Sequence, residues 1–213
     1  MRKSPRVIAA AHRRNVLEIT SAMVKELRDR TNVGMMDCKK ALQDSAGDME
    51  KAVDLLRQKG LAKAMKRAGR EAADGQVHAY IHSGGKIGVL VEVNCETDFA
   101  AKSDDFNEFV KNVALQIAAA NPLGISPEDI PADVIERERA IYMAQAQESG
   151  KPQNILEKMV DGKMRKFYEE NTLMQQKYIR DPERSMQDYL NELIAKIGEK
   201  IQVRRFCRYQ LGE

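Results

Sequence analysis

Gln76–Cys95 reads QVHAYIHSGGKIGVLVEVNC. Val77, Ala79 and Ile81 alternate with Gln76, His78, Tyr80 and His82. After Ser83-Gly84-Gly85 the alternation resumes through Ile87, Val89, Val91, Val93 and Cys95. A period of two sends successive side chains to opposite faces of a strand, and a glycine-rich turn between two such runs can reverse the chain, so the stretch is predicted to be a β-hairpin. Near the end, an alternating run through Ile201, Val203, Cys207, Tyr209 and Leu211 can supply a third strand of a small antiparallel sheet.

Outward from the hairpin the period changes to that of a helix. Ser103 can cap a long helix with Asp104 and Asp105 in its positive first turn. Its buried stripe would be Phe106, Phe109, Val110, Val113, Ala114 and Ile117. Pro131 can open another helix, broken at Ser149-Gly150-Lys151-Pro152 and followed by one to about Glu170, so residues 131–170 are predicted to be an antiparallel helical hairpin. Ser185 with Asp188 forms a capping-box pattern ahead of Tyr189, Leu190, Leu193, Ile194 and Ile197, with Gly198 as the stop. Upstream, residues 19–60 read as three short helices, the first capped by Thr20, the second from about Met36 to Asp44, and the third capped by Asp48 and closed by Gly60. Residues 61–75 are basic and Ala-rich and read as a helical linker. The predicted fold is α+β: a three-helix bundle, a linker, then a core over 76–213.

Composition excludes several classes. Lys and Arg total 35 against 32 Asp and Glu, a net charge of +3, which gives no basic stripe for stable nucleic-acid binding. No apolar run approaches the roughly 18 residues of a membrane span. Three cysteines, Cys38, Cys95 and Cys207, are odd in number and widely spaced, fitting neither a disulfide framework nor a metal site and pointing to a reducing, cytoplasmic setting. Residues 1–18 carry five arginines and lysines before the first acid, Glu18. They read as a disordered basic tail or a product of an upstream start codon, with an organellar presequence as the lesser alternative.

Catalytic constellations are scarce. His78 and His82 would lie on one strand face about 13 Å apart, too far to share a metal. Ser83-Gly84-Gly85-Lys86 joins two strands, so it offers no helix N-terminus to a phosphate. The residues therefore favour a binding protein without catalytic residues, metal or cofactor over an enzyme with an unrecognised site.

Ile19–Leu42, ITSAMVKELRDRTNVGMMDCKKAL, and Leu90–Phe99, LVEVNCETDF, resemble the N-terminal signature and the Thr-Asp-Phe motif of the elongation factor Ts family. Ala72–Gly75 (AADG), Tyr80–Leu90 (YIHSGGKIGVL), Ser149–Phe167 (SGKPQNILEKMVDGKMRKF) and Val203–Gly212 (VRRFCRYQLG) extend the resemblance, in the family's order, over nearly everything after Glu18. It implies an N-terminal bundle of the ubiquitin-associated type and a single-copy core, hence a short form. Two departures stand out: Ala100 follows the motif where the family usually has Val, and the basic tail is additional.

The resemblance also implies a partner, elongation factor Tu, and a role in guanine-nucleotide exchange during translation elongation. It assigns Thr97, Asp98, Phe99 and Ala100 to partner binding and dislocation of the partner's Mg²⁺, with Phe99 as a wedge between helices of the GTPase domain. Met35 and Met36 would contact the same domain, and His82 another. The residues alone leave alternatives open: Phe99 could pack on Phe106, one methionine could fill the bundle core, and His82 could be an ordinary exposed histidine. With only one core copy, the sheet face away from the helices, expected to carry Gly88, Leu90 and Phe206, would be free for a homodimer. Cys207 could then form a cross-subunit disulfide. A ribosome- or chaperone-associated adaptor is the alternative function.

Overall fold

The computed structural model describes residues 19–31 and 33–213, and of Lys63 the backbone alone. The basic stretch 1–18 lies outside the described residues. The described chain is α+β and divides into two compact units between Gln58 and Lys59.

The first unit holds α1 (Ser21–Thr31), α2 (Met35–Asp44) and the start of α3 (Met49–Arg67). Thr20 accepts from the backbone N–H of Met23 and Asp48 from that of Lys51, so both predicted caps form. The core is Val24, Leu27, Cys38, Ala41, Leu42, Ala52 and Leu56, all buried. A cluster of this size gives a thin margin of stability.

The expected stop at Gly60 does not occur, because α3 runs on to Arg67. One glycine inside a helix costs about 1 kcal/mol against alanine. Leu61 to Arg67 are otherwise strong helix formers, and Ala64 packs against the core of the second unit.

That second unit is built on β1 (Asp74–Ile81), β2 (Ile87–Cys95) and β5 (Ile201–Gln210), an antiparallel sheet in the order β1-β2-β5. Gly75 marks its entry. With φ at +137°, a Cβ there would stand 2.2 Å from the Val93 carbonyl oxygen, so only glycine fits. Val89, Val91, Val93 and Cys95 face α5 (Asp104–Ala120) and α8 (Met186–Ile197), whose Phe106, Phe109, Val113, Ile117, Leu190 and Ile194 complete the core. Gln76, His78 and Tyr80 pair with Val93, Val91 and Val89, so Val77, Ala79 and Ile81 point away from the helices.

Strand β5 departs from simple alternation. Val93 pairs with Val203, but Glu92 pairs with Arg205, which leaves Arg204 as an extra residue in a β-bulge. Ile201 and Val203 face the helices before it. After it the inward side passes to Phe206 and Arg208, and Cys207 and Tyr209 turn outward. Phe206 is opposite Val91 and packs on the core, so its expected place on the open face is corrected by the bulge.

The remaining elements are α4 (Asp98–Ala101), α6 (Ala132–Gln147), α7 (Gln153–Asn171), β3 (Lys177–Tyr178) and β4 (Asp181–Ser185). The hairpin of α6 and α7 has its own core of Ile130, Ala146, Leu156, Val160, Met164 and Phe167. The ribbon of β3 and β4 is a second sheet that alternation did not predict.

Candidate partner-docking site

At the end of β2 the chain turns into α4, a single helical turn. Thr97 is its N-cap, its hydroxyl accepting from the Ala100 N–H at 3.3 Å. Asp98 occupies the positive first turn and bonds Lys102 at 2.7 Å, which holds its carboxyl below the usual carboxylate range. Ala100 is 5% exposed and roots the turn in the core, whereas Phe99 is 84% exposed. Phe106, the partner that packing would have offered it, is fully buried elsewhere. A large aromatic ring is thus held in water on a base that cannot fold under it.

The loop ahead of this turn is tied to the junction of α8 and β5. Gly198 closes α8 in the left-handed region, at φ 86°, and directs Glu199 back across the sheet end. Glu199 accepts from the backbone N–H groups of Glu96 at 3.1 Å and Thr97 at 3.0 Å, and from the Thr97 hydroxyl at 2.7 Å. Reciprocally, Glu96 accepts from the Lys200 N–H at 2.6 Å and from Arg70 at 3.2 Å. The Lys200 hydrogen bond is the main reason that the Glu96 carboxyl is held low. Sequence reading missed this network. Its bonds to Glu199 and Lys200 span more than 100 positions, and no local pattern signals them.

Met35 and Met36 belong to the first unit and are 52% and 77% exposed. Of the pair expected to divide into one exposed and one half-buried side chain, Met36 is the more exposed and Met35 about half so, and Val33 beside them packs against the bundle core. The turn between β1 and β2 carries His82, exposed, its Nδ1 2.9 Å from the Tyr80 hydroxyl. Eight strand steps of about 3.3 Å separate that end of the sheet from α4, roughly 26 Å, so His82 and Phe99 do not share one pocket. His78 lies on the helix-facing side, where burial lowers its pKa. Among the described residues no group of His, Cys, Asp or Glu could hold a metal ion, and no helix is long and apolar enough to cross a membrane.

The open face of the sheet presents Val77, Ala79, Ile81, Leu90, Cys207 and Tyr209. Toward α4 it becomes charged, where Arg205 at 2.6 Å holds the Glu92 carboxyl low. All three cysteines are free thiols. Cys38 and Cys95 are buried, Cys95 pushed up to about 11 by burial, and Cys207 is exposed.

A family model described as Elongation factor TS matches residues 15–213. The chain is similar to the elongation factor Ts of Syntrophobacter fumaroxidans, 79% identical over 196 residues, 92% of this chain and 98% of the relative. Those of Desulfosudis oleivorans and Thermoanaerobacter sp. strain X514 are each 62% identical over 195 residues, 92% of this chain and 98% and 96% of the relatives.

Proposed function

The chain belongs to the elongation factor Ts family, and from that premise we propose that it binds elongation factor Tu carrying GDP, promotes GDP release in the cytoplasm and so lets GTP bind. The protein performs no covalent chemistry. It acts by binding the nucleotide-free partner more tightly than the GDP-bound one, and linkage then makes factor and nucleotide weaken each other by the same ratio.

The observation that carries this reading is the exposed Phe99 on the Ala100-rooted turn. Inserted between helices of the partner's GTPase domain, the ring displaces them and disturbs the phosphate and Mg²⁺ contacts that hold GDP. Thr97 and Ala100 set the shape of the turn. Asp98 offers a carboxylate to polar groups of the partner, but one carboxylate does not make a Mg²⁺ site of its own. Met35 and Met36 give the three-helix bundle a soft apolar contact with the same domain, and His82 touches another domain. Release of labelled GDP from elongation factor Tu tests the assignment. Wild-type protein should accelerate it strongly and Phe99→Ala only weakly, with an unchanged melt. Equal acceleration by the two would refute the wedge.

We further propose that two copies pair through their open sheet faces. Val77, Ile81, Leu90 and Tyr209 are apolar or aromatic, exposed and on one side. A two-fold packing of sheet on sheet would bury them. Cys207 lies on that face, but a reducing compartment keeps it a thiol. Sedimentation equilibrium in reductant should give a dimer that Leu90→Asp splits. A single wild-type species near 24.0 kDa would exclude it.

A further inference from the structure

We propose that Glu199 is a positioning residue for the wedge: its carboxylate fixes the loop between β2 and α4 in the conformation that presents Phe99. The inference rests on the reading of Phe99 given above and extends it to a residue a hundred positions away.

Three observations carry it. First, α4 has four residues, far fewer than the roughly 12 a helix needs to persist unaided, so its geometry must be imposed by its surroundings. Second, Glu199 supplies what the loop lacks. The N–H groups of Glu96 and Thr97 lie past the last paired residue of β2 and before the first turn of α4, and both donate to Glu199 Oε2. Third, the Thr97 hydroxyl can cap α4 only if its proton points away from the Ala100 N–H, and Glu199 Oε1 takes that proton at 2.7 Å. One carboxylate therefore sets both the backbone path and the rotor of the cap, through charge-assisted bonds that are stronger than neutral ones.

Glu199 is itself held in place. Gly198 fixes its direction, and the adjacent Lys200 N–H is anchored on Glu96, so two neighbouring carboxylates lock two chain segments against each other. Two of the three donors to Glu199 are backbone groups, which sets this apart from an exposed ion pair between flexible side chains. Without the lock the turn would fray, and Phe99 would have to be ordered at the moment of binding, at an entropic cost.

The test is a double-mutant cycle on the intact chain, reading the maximal rate of labelled GDP release from elongation factor Tu. Glu199→Ala should slow it about tenfold in the wild-type background, within the coupling expected between residues that share one hydrogen-bond network. In the Phe99→Ala background the same change should cost less than about twofold, because nothing remains to be positioned. Amide exchange of Glu96 and Thr97 should accelerate while that of α5 does not.

An equal loss in both backgrounds would mean that Glu199 acts on the partner or on the fold as a whole, and would overturn the proposal. No loss in the wild-type background would also overturn it. If Glu199→Ala fails to fold, Glu199→Gln replaces it, and the same non-additivity is required at a smaller loss. If Phe99→Ala alone releases GDP at the wild-type rate, the wedge itself falls. If Phe99→Ala is slow and Glu199→Ala is not, the positioning role falls alone.

Discussion

Two helices begin within six residues of each other with nearly the same opening. Thr97-Asp98-Phe99-Ala100 starts α4 and Ser103-Asp104-Asp105-Phe106 starts α5. In each, a hydroxyl caps the N–H three residues on, and an acid stands in the first turn. The capping geometry therefore sets the same rotation for both. The third helical position faces the core, as Ala100 and Phe106 show by their burial, and the second does not: Phe99 stands in water and Asp105 lies at the edge of the core, paired with Lys196 of α8. Phe99 is at the second position and Phe106 at the third. A one-residue difference in phase, not a difference in composition, separates the docking aromatic from the structural one.

The sharpest way to break this comparison is to truncate each ring. Phe106→Ala should destabilise the second unit by about 3–5 kcal/mol, as expected for a fully buried phenylalanine, and lower its urea midpoint accordingly. Phe99→Ala should move the midpoint by less than about 0.5 kcal/mol, the usual range for an exposed side chain, and show its effect in GDP release alone.

A phase swap comes next. Phe99→Ala combined with Ala100→Phe moves the ring to the inward position, where Ala100 is now packed. Overfilling that site should cost about 1–3 kcal/mol in a denaturant melt, and exchange should stay as slow as in Phe99→Ala, since the ring is present but faces the wrong way.

The caps give a smaller effect. Ser103→Ala should cost about 1 kcal/mol of stability with little change in exchange. Thr97→Ala should cost no more in a melt yet slow exchange several-fold. Equal exchange rates in these two variants would argue against the different roles given to α4 and α5.

The smallest effect is that of pH. Glu96 is held below its ordinary carboxylate value by the Lys200 N–H, so as pH falls the unfolded chain takes up that proton first. Its contribution should be complete above the ordinary carboxylate range of about 4.3, and be lost as pH falls through the lower folded value. Urea midpoints between pH 6 and 3 should fall less steeply for Glu96→Gln than for wild type.

Much of this was legible in the residues. The 3.6-residue stripe from Phe106 to Ile117 and the two-residue alternation about Ser83–Gly85 each follow from local sterics, and both formed. The outward direction of Phe99 was not legible in the residues, which left it free to pack on Phe106; it follows from the Thr97 cap, which sets the phase of α4. Other features depend on distant partners. Asp181–Ser185, DPERS, has no strand propensity and is a strand only because it pairs with Lys177 and Tyr178. Glu199 looks like any acid after a glycine until the fold brings Thr97 to it. Met35 is about half exposed and Met36 more so, while Val33 packs on the bundle core, a division that spacing alone does not distinguish.

Arg204 acts in space as an inserted letter acts in a reading frame. Everything downstream of it on β5 is read one step out of phase, so a single strand serves two tenants: valine and isoleucine beneath the helices at one end, cysteine and tyrosine on the free surface at the other. A change of one residue in the length of the Ser83–Lys86 turn would alter only a loop tip. The loss of Arg204 itself would join Val203 directly to Arg205, restore plain alternation and leave Phe206 opposite Val91 as it is now. The same loss three residues on, at Cys207, would turn the strand end over: Arg208, which now reaches the Ala118 carbonyl at the end of α5, would move into solvent, and Tyr209 would move under the helices. Equal edits in length therefore carry unequal meaning along this chain, and the bulge is where the loss of one residue is most silent.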